Sequence, residues 1–461
     1  MKESSNQQKV ETQPSPAAKK RKDMSSAERV QLYQRKLYQK AKQEKSFRFY
    51  VLYDKIFLDY VLKESWKRVR GNAGSPGIDG ITFKAIEEGE GVDKFLKTLQ
   101  EELRAQTYKP SAVKRVWIPK NNGQQRPLGI PTIKDRVAQM ACKMVIEPIL
   151  EADFEDCSYG FRPKRSAHDA IKKIKEELKA GKTEVYDADL SAYFDTIPHD
   201  KLLIALRERI ADERVVKLIN KWLKAPVQED GQYTGGKHNK VGVPQGGVIS
   251  PLLSNLFLNL LDRIVTSVKS IFSKSGVVMV RYADDFVLMG KALREEIVIK
   301  LKELLTRMGL NLNELKSRQV NARETPFNFL GFVFRHDRSF AKPGSGKFWN
   351  VKPSDKSNKK VRETLGLALK RMGHYKPIQL VAELNDILRG WLNYFDINGV
   401  SYPFIAKQQL NYYLRMRLLS YFNRKSQRKS RLYRRQAFEL LVQKFGLIDP
   451  IQYSPRRTVN T

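Results

Sequence analysis

The order of apolar and polar positions along the chain predicts a polar start, a mixed middle region and a helical end. Residues 1–46 are rich in Gln, Ser and Lys and include the basic cluster KKRK at 19–22, which predicts a flexible, solvated tail, within which a helical pattern begins just after Met24. A nuclear-import signal is the alternative interpretation of that cluster. From Phe47 onward, FYVLYDKIFLDYVLKESWKRV repeats apolar residues at helical spacing, so we expect the packed part of the protein to begin there.

Extended and helical segments alternate between residues 105 and 353. Two extended segments, 113–118 and 126–131, flank a loop of Asn, Gly and Gln and predict a hairpin. The run TEVYDADLSAYFDTI alternates like a half-buried strand up to Pro198, and 277–289 predicts two strands that break at Asp284–Asp285. Helices are predicted at 135–150, 166–180 and 199–224, further extended runs at 327–335 and 347–351, and only helices after Ser354.

Composition then narrows the expected partners. The chain carries 85 Lys and Arg against 50 Asp and Glu, a formal net charge of +35, and 41% of its residues are hydrophobic, as in globular proteins. This surplus indicates a polyanionic partner, and we expect nucleic acid rather than a membrane surface, because no apolar run is long enough to span a bilayer. Only two cysteines, Cys142 and Cys157, are present, which excludes a disulfide framework and a four-cysteine zinc site. Since the start lacks a hydrophobic signal core, we expect a cytoplasmic, nucleoid-associated protein of a prokaryotic cell; nuclear and organellar locations stay open.

Three acidic positions suggest a metal-dependent site: Asp189 in YDADLSAYFD, and Asp284 and Asp285 in RYADDFVLMG. Neighbouring residues on a straight strand point to opposite faces, so two adjacent carboxylates can converge only at a turn, at the tip of a hairpin. A neighbouring strand that carries Asp189 would bring a third carboxylate there. Clustered carboxylates repel each other unless a cation is present, and hard oxygen ligands suit Mg²⁺; two such ions can clamp a phosphoryl transfer. Taken alone, an Asp-Asp pair is more often a solvated turn, so the interpretation depends on the surrounding motifs.

Those motifs resemble group II intron-encoded reverse transcriptases and maturases. The matching blocks, in order, are GNAGSPGIDG, IPKNNGQQRPLGIPTIKDRVAQ, SYGFRPKRSAHDAI, YDADLSAYFDTI, GVPQGGVISPLLSNLFLNLLD, RYADDFVL, NLNELKS, FNFLGF and RGWLNYF. The resemblance runs from about Phe47 to the end of the sequence and implies an α+β, right-hand polymerase fold with fingers, a palm with an antiparallel sheet, and a helical thumb. It implies fingers with an N-terminal extension at 47–182, a discontinuous palm at 183–353, a thumb or maturase domain at 354–423 and a basic DNA-binding segment at 424–461.

By resemblance, the protein is an RNA-directed DNA polymerase. The catalytic and metal-binding positions of the family fall on Asp189, Leu190 (through its main-chain carbonyl), Asp284 and Asp285. The implied cofactor is a pair of Mg²⁺ ions, with Mn²⁺ as a substitute. Asp187 and Asp195 flank the first motif, and we interpret Asp187 as a strand neighbour and Asp195 as a structural residue.

The nucleotide-binding positions that the resemblance implies are Lys120, Arg126, Phe194, Gln245, Gly246 and Lys316. An aromatic ring at Phe194 would collide with a ribose 2′-hydroxyl and so select deoxynucleotides; a core aromatic is the alternative. Lys120 and Arg126 bracket the fingers loop and would neutralise the triphosphate, unless that loop is merely a solvated basic turn. Gly246 would let the backbone approach the nascent base pair.

Basic residues in three places are expected to hold nucleic acid. They are Arg162, Lys164 and Arg165 for the template strand; Lys356, Lys359, Lys360, Arg362, Lys370 and Arg371 on the thumb, for the backbone of a template–primer duplex or of intron RNA; and Arg424, Lys425, Arg428, Lys429, Arg431, Arg434 and Arg435 for DNA. The last group could instead be a solvated tail. Phe329 to Phe332 match a primer-grip hairpin, although its aromatics, like Trp391, Tyr394 and Phe395 of the thumb, are expected to be core residues.

The expected partners are group II intron RNA or another RNA template, a DNA primer or target, and dNTPs, with no membrane. No cysteine follows Cys157, so the zinc-binding endonuclease domain of many relatives is not expected, and the DNA primer would come from elsewhere. Two alternatives remain: a maturase that acts mainly as an RNA-binding splicing factor, and a domesticated reverse transcriptase in repair or phage defence. Phe194 argues against an RNA-dependent RNA polymerase.

Overall fold

A computed structural model describes residues 24–119, 125–338, 346–373, 375–425, 432 and 436–455. The helices of this part are α1 (Ser26–Gln43), α2 (Tyr53–Ile56), α3 (Asp59–Gly71), α4 (Phe83–Glu88), α5 (Val92–Arg104), α6 (Ile133–Glu151), α7 (Ala167–Lys179), α8 (Tyr193–Thr196), α9 (His199–Arg207), α10 (Glu213–Leu223), α11 (Ser250–Thr266), α12 (Ile271–Lys274), α13 (Glu295–Met308), α14 (Asp355–Arg371), α15 (Pro377–Phe395), α16 (Phe404–Lys425) and α17 (Ala437–Phe445). The strands are β1 (Val113–Pro119), β2 (Gln125–Ile130), β3 (Glu184–Ala188), β4 (Pro226–Glu229), β5 (Gln232–Gly235), β6 (Val278–Tyr282), β7 (Asp285–Gly290), β8 (Arg318–Asn321), β9 (Phe327–Phe329), β10 (Phe332–Arg338) and β11 (Lys347–Pro353).

The chain divides into two compact units that alternate along the sequence. The first contains residues up to 156, 191–263 and 304–311; the second contains 157–190, 264–303 and the residues from 312 onward. Among the described residues, no helix has both the length and the apolar character needed to cross a bilayer.

The first unit is built around α6, which is buried on nearly all sides, as its predominantly apolar sequence requires. Its sheet has the order β2-β1-β4-β5. Strands β1 and β2 form the predicted antiparallel hairpin, with Ile118 paired to Arg126. The predicted helix at 199–224 is instead two helices, α9 and α10, because the buried carboxylate of Asp212 caps α10 and binds the backbone amides of Leu52 and Tyr53.

The prediction of a flexible tail over all of 1–46 is wrong for residues 26–43, which form α1. Ser25 and Glu28 make a capping box at its start, and Val30, Leu37 and Ala41 form a buried stripe. The helix packs against α3 and α6, and the Gln34 amide donates to the Met144 carbonyl (2.8 Å). The apolar stripe, not the polar average of the segment, decides its structure.

The second unit contains a four-stranded antiparallel sheet, with the order β6-β7-β3-β8, and a three-stranded sheet, with the order β11-β10-β9. A single apolar core continues from α7 and these sheets into helices α14 to α17. Trp391 and Phe395 are buried in it, which confirms their predicted packing role. The strand predicted over 183–197 ends at Ala188, because the chain leaves the sheet there and turns into α8.

Candidate active site

The tip of the β6–β7 hairpin carries the two adjacent aspartates. Tyr282 pairs with Asp285, so the predicted hairpin is present, but its turn is Ala283–Asp284, one residue before the predicted break, and Asp285 begins β7. Ala283 has a φ of +58°, in the left-handed region that costs a non-glycine residue about 1 kcal/mol. The turn is packed closely, because a Cβ added to Gly160 would lie 2.4 Å from the Ala283 nitrogen. Asp284 is half-buried there and Asp285 is exposed.

Strand β3 lies beside β7 and brings the third aspartate to the same edge of the sheet. The register pairs Glu184 with Gly290 and Ala188 with Phe286. Continued by one residue, it sets Asp189 opposite Asp285. The backbone of the second unit therefore places all three aspartates at one end of neighbouring strands.

The backbone around Asp189 is fixed by the segment that leads into β8. The Asn313 amide donates to the Asp189 carbonyl (2.8 Å), and the Asp189 amide donates to the Ser317 hydroxyl (3.1 Å). An antiparallel bridge joins Leu190 to Leu312. The bonds of this bridge are made by the residues on either side of Leu190, so Leu190 and Leu312 form a non-hydrogen-bonded pair and the Leu190 carbonyl is not used in the bridge. This leaves the carbonyl for the metal contact expected of it.

Lys316 lies at the aspartate edge. Its Nζ is 3.5 Å from Oδ2 of Asp189, and both side chains are partly exposed. An exposed ion pair of this kind contributes little to stability, at most about 1 kcal/mol. Its value to the site is a mobile positive charge beside the carboxylate, where a polyphosphate can compete for it.

The three carboxylates do not form a closed metal site in the structure. Within the described residues, no group of three or more His, Cys, Asp or Glu side chains is gathered closely enough to hold an ion. The backbone register and the hard oxygen donors nevertheless fit a divalent cation, and the Asp189 carboxylate already pairs with the positively charged Nζ of Lys316. Asp189, Asp284 and Asp285 are thus suitable ligands, although their side chains are not arranged here as a closed site.

Asp187 lies two residues before Asp189, on the same face of β3. Its pKa is raised to about 6, mainly by burial; the positive charge of Arg318 lowers it, and the negative charge of Asp189 contributes a smaller rise. Arg318 is its cross-strand partner in β8. The position of Asp187 within β3, paired with Arg318, agrees with its interpretation as a strand neighbour, and its raised pKa reflects mainly its burial.

In the first unit, the segment that carries Phe194 pairs with the segment that leads to Gln245. The Val243 amide donates to the Phe194 carbonyl (2.7 Å), and the Gly242 amide donates to the Ile197 carbonyl (2.8 Å). The His199 Nε2 contacts the Gly242 carbonyl at 2.6 Å, which requires the Nε2–H tautomer, and burial lowers the pKa of this imidazole. The two segments therefore form a short ribbon that sets Phe194 and Gln245 relative to each other.

The turn at Gln245 is also held by the fingers hairpin. The Gly129 amide of β2 donates to the Gln245 carbonyl (2.6 Å). Gly246 has a φ of +105°, and a Cβ there would lie 2.3 Å from the Gly129 carbonyl oxygen, so only glycine fits. The Gln245 amide donates to the Asp195 carboxylate at 3.5 Å. These contacts support the structural role assigned to Asp195.

Of the other predicted nucleotide contacts, Arg126 is exposed at the start of β2, and Lys120 lies outside the described residues. Arg428, Lys429, Arg431, Arg434 and Arg435 of the predicted DNA-binding segment also lie outside, as do the side chains of Arg424 and Lys425. Lys356, Lys359 and Lys360 are exposed along α14, as a nucleic-acid contact requires.

The predicted template contact at Arg162 needs correction. This side chain is only 7% exposed, and its guanidinium donates to the Ser158 carbonyl (2.8 Å) in its own loop. Arg165 donates to the same carbonyl (3.3 Å) and lies over the Tyr159 ring. A buried guanidinium that closes a loop is a structural group, so Lys164 is the exposed cation of this segment.

The predicted primer-grip hairpin is the turn between β9 and β10. Phe329 and Phe332 are buried, which confirms them as core residues. The turn is attached to the thumb, because the Tyr394 hydroxyl donates to the Leu330 carbonyl (3.0 Å) and the Ser357 hydroxyl to the Gly331 carbonyl (2.9 Å).

Sequence reasoning missed several residues that build the site. Asn313 and Ser317 fix the Asp189 backbone, and Gly129 fixes Gln245. Ser317 follows Lys316 directly in the NLNELKS block, and Gly129 stands in the RPLGIP block, so both lay inside recognised motifs. Their partners, however, are more than 100 residues away in the chain.

An antiparallel sheet that presents aspartates at one end of neighbouring strands, joined to a helical thumb, defines a right-hand nucleic-acid polymerase. Two family models match: "Reverse transcriptase (RNA-dependent DNA polymerase)" over residues 118–334 and "Group II intron, maturase-specific domain" over 358–437.

Known relatives agree with these matches. Protein YkfC of Escherichia coli K12 is 39% identical over 304 residues, which cover 58% of this chain and 77% of YkfC. The group II intron-encoded protein LtrA of Lactococcus lactis is 32% identical over 336 residues, 60% of this chain and 54% of LtrA. The chain thus spans most of YkfC but about half of LtrA. A solved structure described as a partial Cas6-RT-Cas1–Cas2 complex is 19% identical, and the match covers 55% of this chain and 42% of the chain in that structure. Its TM-score of 0.34 is too low to support an argument. This chain belongs to the family of group II intron-encoded reverse transcriptases and maturases.

Proposed function

We propose that this protein copies RNA into DNA at the strand edge that carries Asp189, Asp284 and Asp285, and that it binds group II intron RNA and assists its splicing and mobility. The catalytic part of this proposal is supported by the β3–β7 register. Continued by one residue, that register sets Asp189 opposite Asp285, next to the turn that contains Asp284. Neighbouring strands with carboxylates at one end are what a two-metal nucleotidyl transfer requires.

Two Mg²⁺ ions bound by these carboxylates and the Leu190 carbonyl would activate the primer 3′-hydroxyl and neutralise charge on the triphosphate. The residues of the chain supply the remaining functions. Lys316, 3.5 Å from Asp189, exchanges its carboxylate partner for a phosphate oxygen of the incoming nucleotide. Arg126 and Lys120 of the fingers hairpin contribute further positive charge to the triphosphate.

Nucleotide selection rests on Phe194 and the Gln245–Gly246 turn. The ribbon between their segments fixes the Phe194 backbone, and the proposed role of its ring is to obstruct a 2′-hydroxyl. Gly246 leaves the backbone of the turn bare, so it can lie along the new base pair. Discrimination against ribonucleotides is thereby steric, and it is separate from the metal chemistry.

The RNA-binding part of the proposal rests on the maturase-specific domain and on its basic surface. Lys356, Lys359 and Lys360 present three exposed cations along α14. Such contacts position an RNA backbone without reading its sequence. Group II intron RNA is therefore proposed as a structural partner, with a separate RNA template, a DNA primer and dNTPs as substrates.

Primer extension on an RNA template with dNTPs and Mg²⁺ tests the catalytic assignment. We expect Asp284→Asn and Asp285→Asn to reduce the rate of extension at least about a thousandfold, because each removes a metal ligand. Asp93→Asn, at an exposed position on α5, is the matched control and keeps wild-type activity. Extension by Asp284→Asn at the rate of the control would refute the metal assignment.

A splicing assay with intron RNA separates the two activities. Because RNA positioning needs no metal at the aspartates, Asp285→Asn is expected to assist splicing as well as wild type does. If instead the wild-type protein assists splicing but extends no primer, the splicing-factor alternative replaces the polymerase proposal.

A further inference from the structure

A glycine in the middle of α14 marks an unusual contact between two thumb helices. Gly366 lies inside Asp355–Arg371, where glycine is less favourable than alanine by about 1 kcal/mol. A Cβ at this position would lie 2.9 Å from the Tyr413 hydroxyl and 3.0 Å from Nη2 of Arg417. The bare backbone therefore lets two polar side chains of α16 reach the surface of α14.

These two side chains form the floor of a groove between α14 and α16. The groove has a volume of about 530 Å³. Its lining residues are Lys359, Arg362, Glu363, Gly366, Leu367, Lys370, Tyr413 and Arg417. Four cations face one carboxylate, so the formal charge of the lining is +3. Such a concave surface suits an anion larger than a single ion.

Only one of the four cations has an acidic partner in the described part of the protein: the Lys359 Nζ lies 3.8 Å from Glu363. Nearby basic residues of the same domain have acidic partners: Arg415 pairs with Glu439, Arg371 with Glu383 and Lys407 with Asp396. By contrast, no carboxylate in the described part of the chain lies within ion-pairing distance of Lys370 or Arg417.

The Arg417 guanidinium lies over the Tyr413 ring, with its carbon 5.7 Å from the ring centre. Stacking of this kind orients a guanidinium but leaves its N–H groups able to donate. The Tyr413 hydroxyl adds a donor beside it. The Tyr413 ring and the space left by Gly366 together hold the planar Arg417 guanidinium at the floor of a cationic groove. A guanidinium in this position can donate two parallel hydrogen bonds to the oxygens of one phosphate.

We propose that this groove binds the phosphodiester backbone of RNA, with Arg417 as the central phosphate contact and Lys370, Arg362 and Lys359 along the walls. The proposal rests on the RNA-handling function above and assigns to it a defined site, which includes Tyr413, Arg417 and Gly366. The phosphates could belong to a folded intron RNA or to the template–primer duplex, and the chemistry of recognition is the same for both.

The decisive variant is Gly366→Ala. The added methyl group displaces the flexible ends of Tyr413 and Arg417 and leaves the backbone in place, so the fold is kept and the helix gains propensity. We expect the urea denaturation midpoint to equal or exceed that of the wild type. The affinity for RNA should fall about tenfold, because one charge-assisted contact is lost. Gly390→Ala is the matched control, because this glycine lies in α15 and a Cβ there meets nothing within 4 Å.

A second pair of variants tests the charge. Arg417→Gln is compared with Arg389→Gln, which removes an exposed arginine of α15 that pairs with Asp386. Binding is measured by fluorescence anisotropy over a series of KCl concentrations, with a labelled RNA hairpin and with an RNA–DNA template–primer. Arg417→Gln should reduce the slope of log affinity against log salt by about 0.7–0.9, the value for one lost phosphate contact. Arg389→Gln should leave it unchanged.

The two probes identify the source of the phosphates. A loss confined to the hairpin assigns the groove to folded RNA, and a loss on the template–primer assigns it to the duplex. If Gly366→Ala and Arg417→Gln bind both probes as their controls do, the groove proposal is overturned. These binding measurements need no catalysis, so they succeed or fail independently of the aspartate variants in primer extension.

Discussion

Replacing Gly246 by alanine tests whether the fingers hairpin holds the Gln245 turn in one position. The residue has a φ of +105°, and an added Cβ would lie 2.3 Å from the Gly129 carbonyl oxygen. The backbone conformation costs a non-glycine residue about 1–2 kcal/mol. The clash with a backbone atom cannot be relieved by rotating a side chain and adds about 1–3 kcal/mol, as overpacking does. The hydrogen bond from the Gly129 amide to the Gln245 carbonyl (2.6 Å) is therefore expected to break.

Gly231→Ala is the matched control. Gly231 has a φ of +83° in the turn between β4 and β5, where an added Cβ meets nothing within 4 Å. It carries the backbone cost without the clash, so the difference between the two variants is about 2 kcal/mol.

The assay is single-nucleotide incorporation on an RNA template, with kcat and KM measured for the dNTP and thermal unfolding measured in parallel. If the displaced turn contacts the nascent base pair, the difference of about 2 kcal/mol lowers kcat/KM about 30-fold relative to Gly231→Ala. Equal kcat/KM values for Gly246→Ala and Gly231→Ala, with both proteins folded, would refute the role assigned to this turn.

Two further predictions follow from the electrostatics and the nucleotide site. Because the pKa of Asp187 is raised from 3.8 to about 6 in the folded protein, ionisation of Asp187 destabilises the fold as the pH rises from about 4 to above 6. Asp187→Asn should therefore raise the free energy of unfolding by about 1–2 kcal/mol at pH 7.5, after allowance for the partial exposure of Asp187. Near pH 4 the substitution should not change the free energy of unfolding. Urea denaturation at both pH values measures the two free energies, and equal gains at the two pH values would contradict the prediction. Phe194→Ala should raise the ratio of ribonucleotide to deoxynucleotide incorporation at least about tenfold, with kcat/KM for both nucleotides measured on one template. The control is Tyr50→Ala, which changes an exposed aromatic residue and should leave the ratio unchanged.

Local patterns predicted much of the fold and the centre of the candidate site. The apolar strands on either side of Asp284 and Asp285 require a hairpin, and the structure confirms a turn there. The β1–β2 hairpin was predicted in the same way, from its Gly and Asn loop. Alternation and turn residues act over a few positions, so they can be recognised without knowledge of tertiary contacts.

The errors arose where tertiary contacts override the local pattern. The polar composition of residues 26–43 favours a tail, yet a narrow stripe of Val30, Leu37 and Ala41 suffices to bury one side of α1. Arg162 was predicted to be a template contact because it is basic, but its loop buries it against the Ser158 carbonyl. Neither partner surface can be identified from neighbours in sequence.

The sequence by itself determined which chemical groups are available to the protein, namely the three aspartates, the aromatic residue at 194, the glycines of the turns and a large surplus of positive charge. Only the tertiary structure decided which of these groups meet. Asp189 reaches the Asp284–Asp285 turn through the register of β3 on β7, Lys316 reaches Asp189 across 127 positions, and Gln245 is held by Gly129. The physical reason is that strand partners and their register are selected by the burial of side chains on the faces of a sheet. This burial exists only after distant segments have packed together.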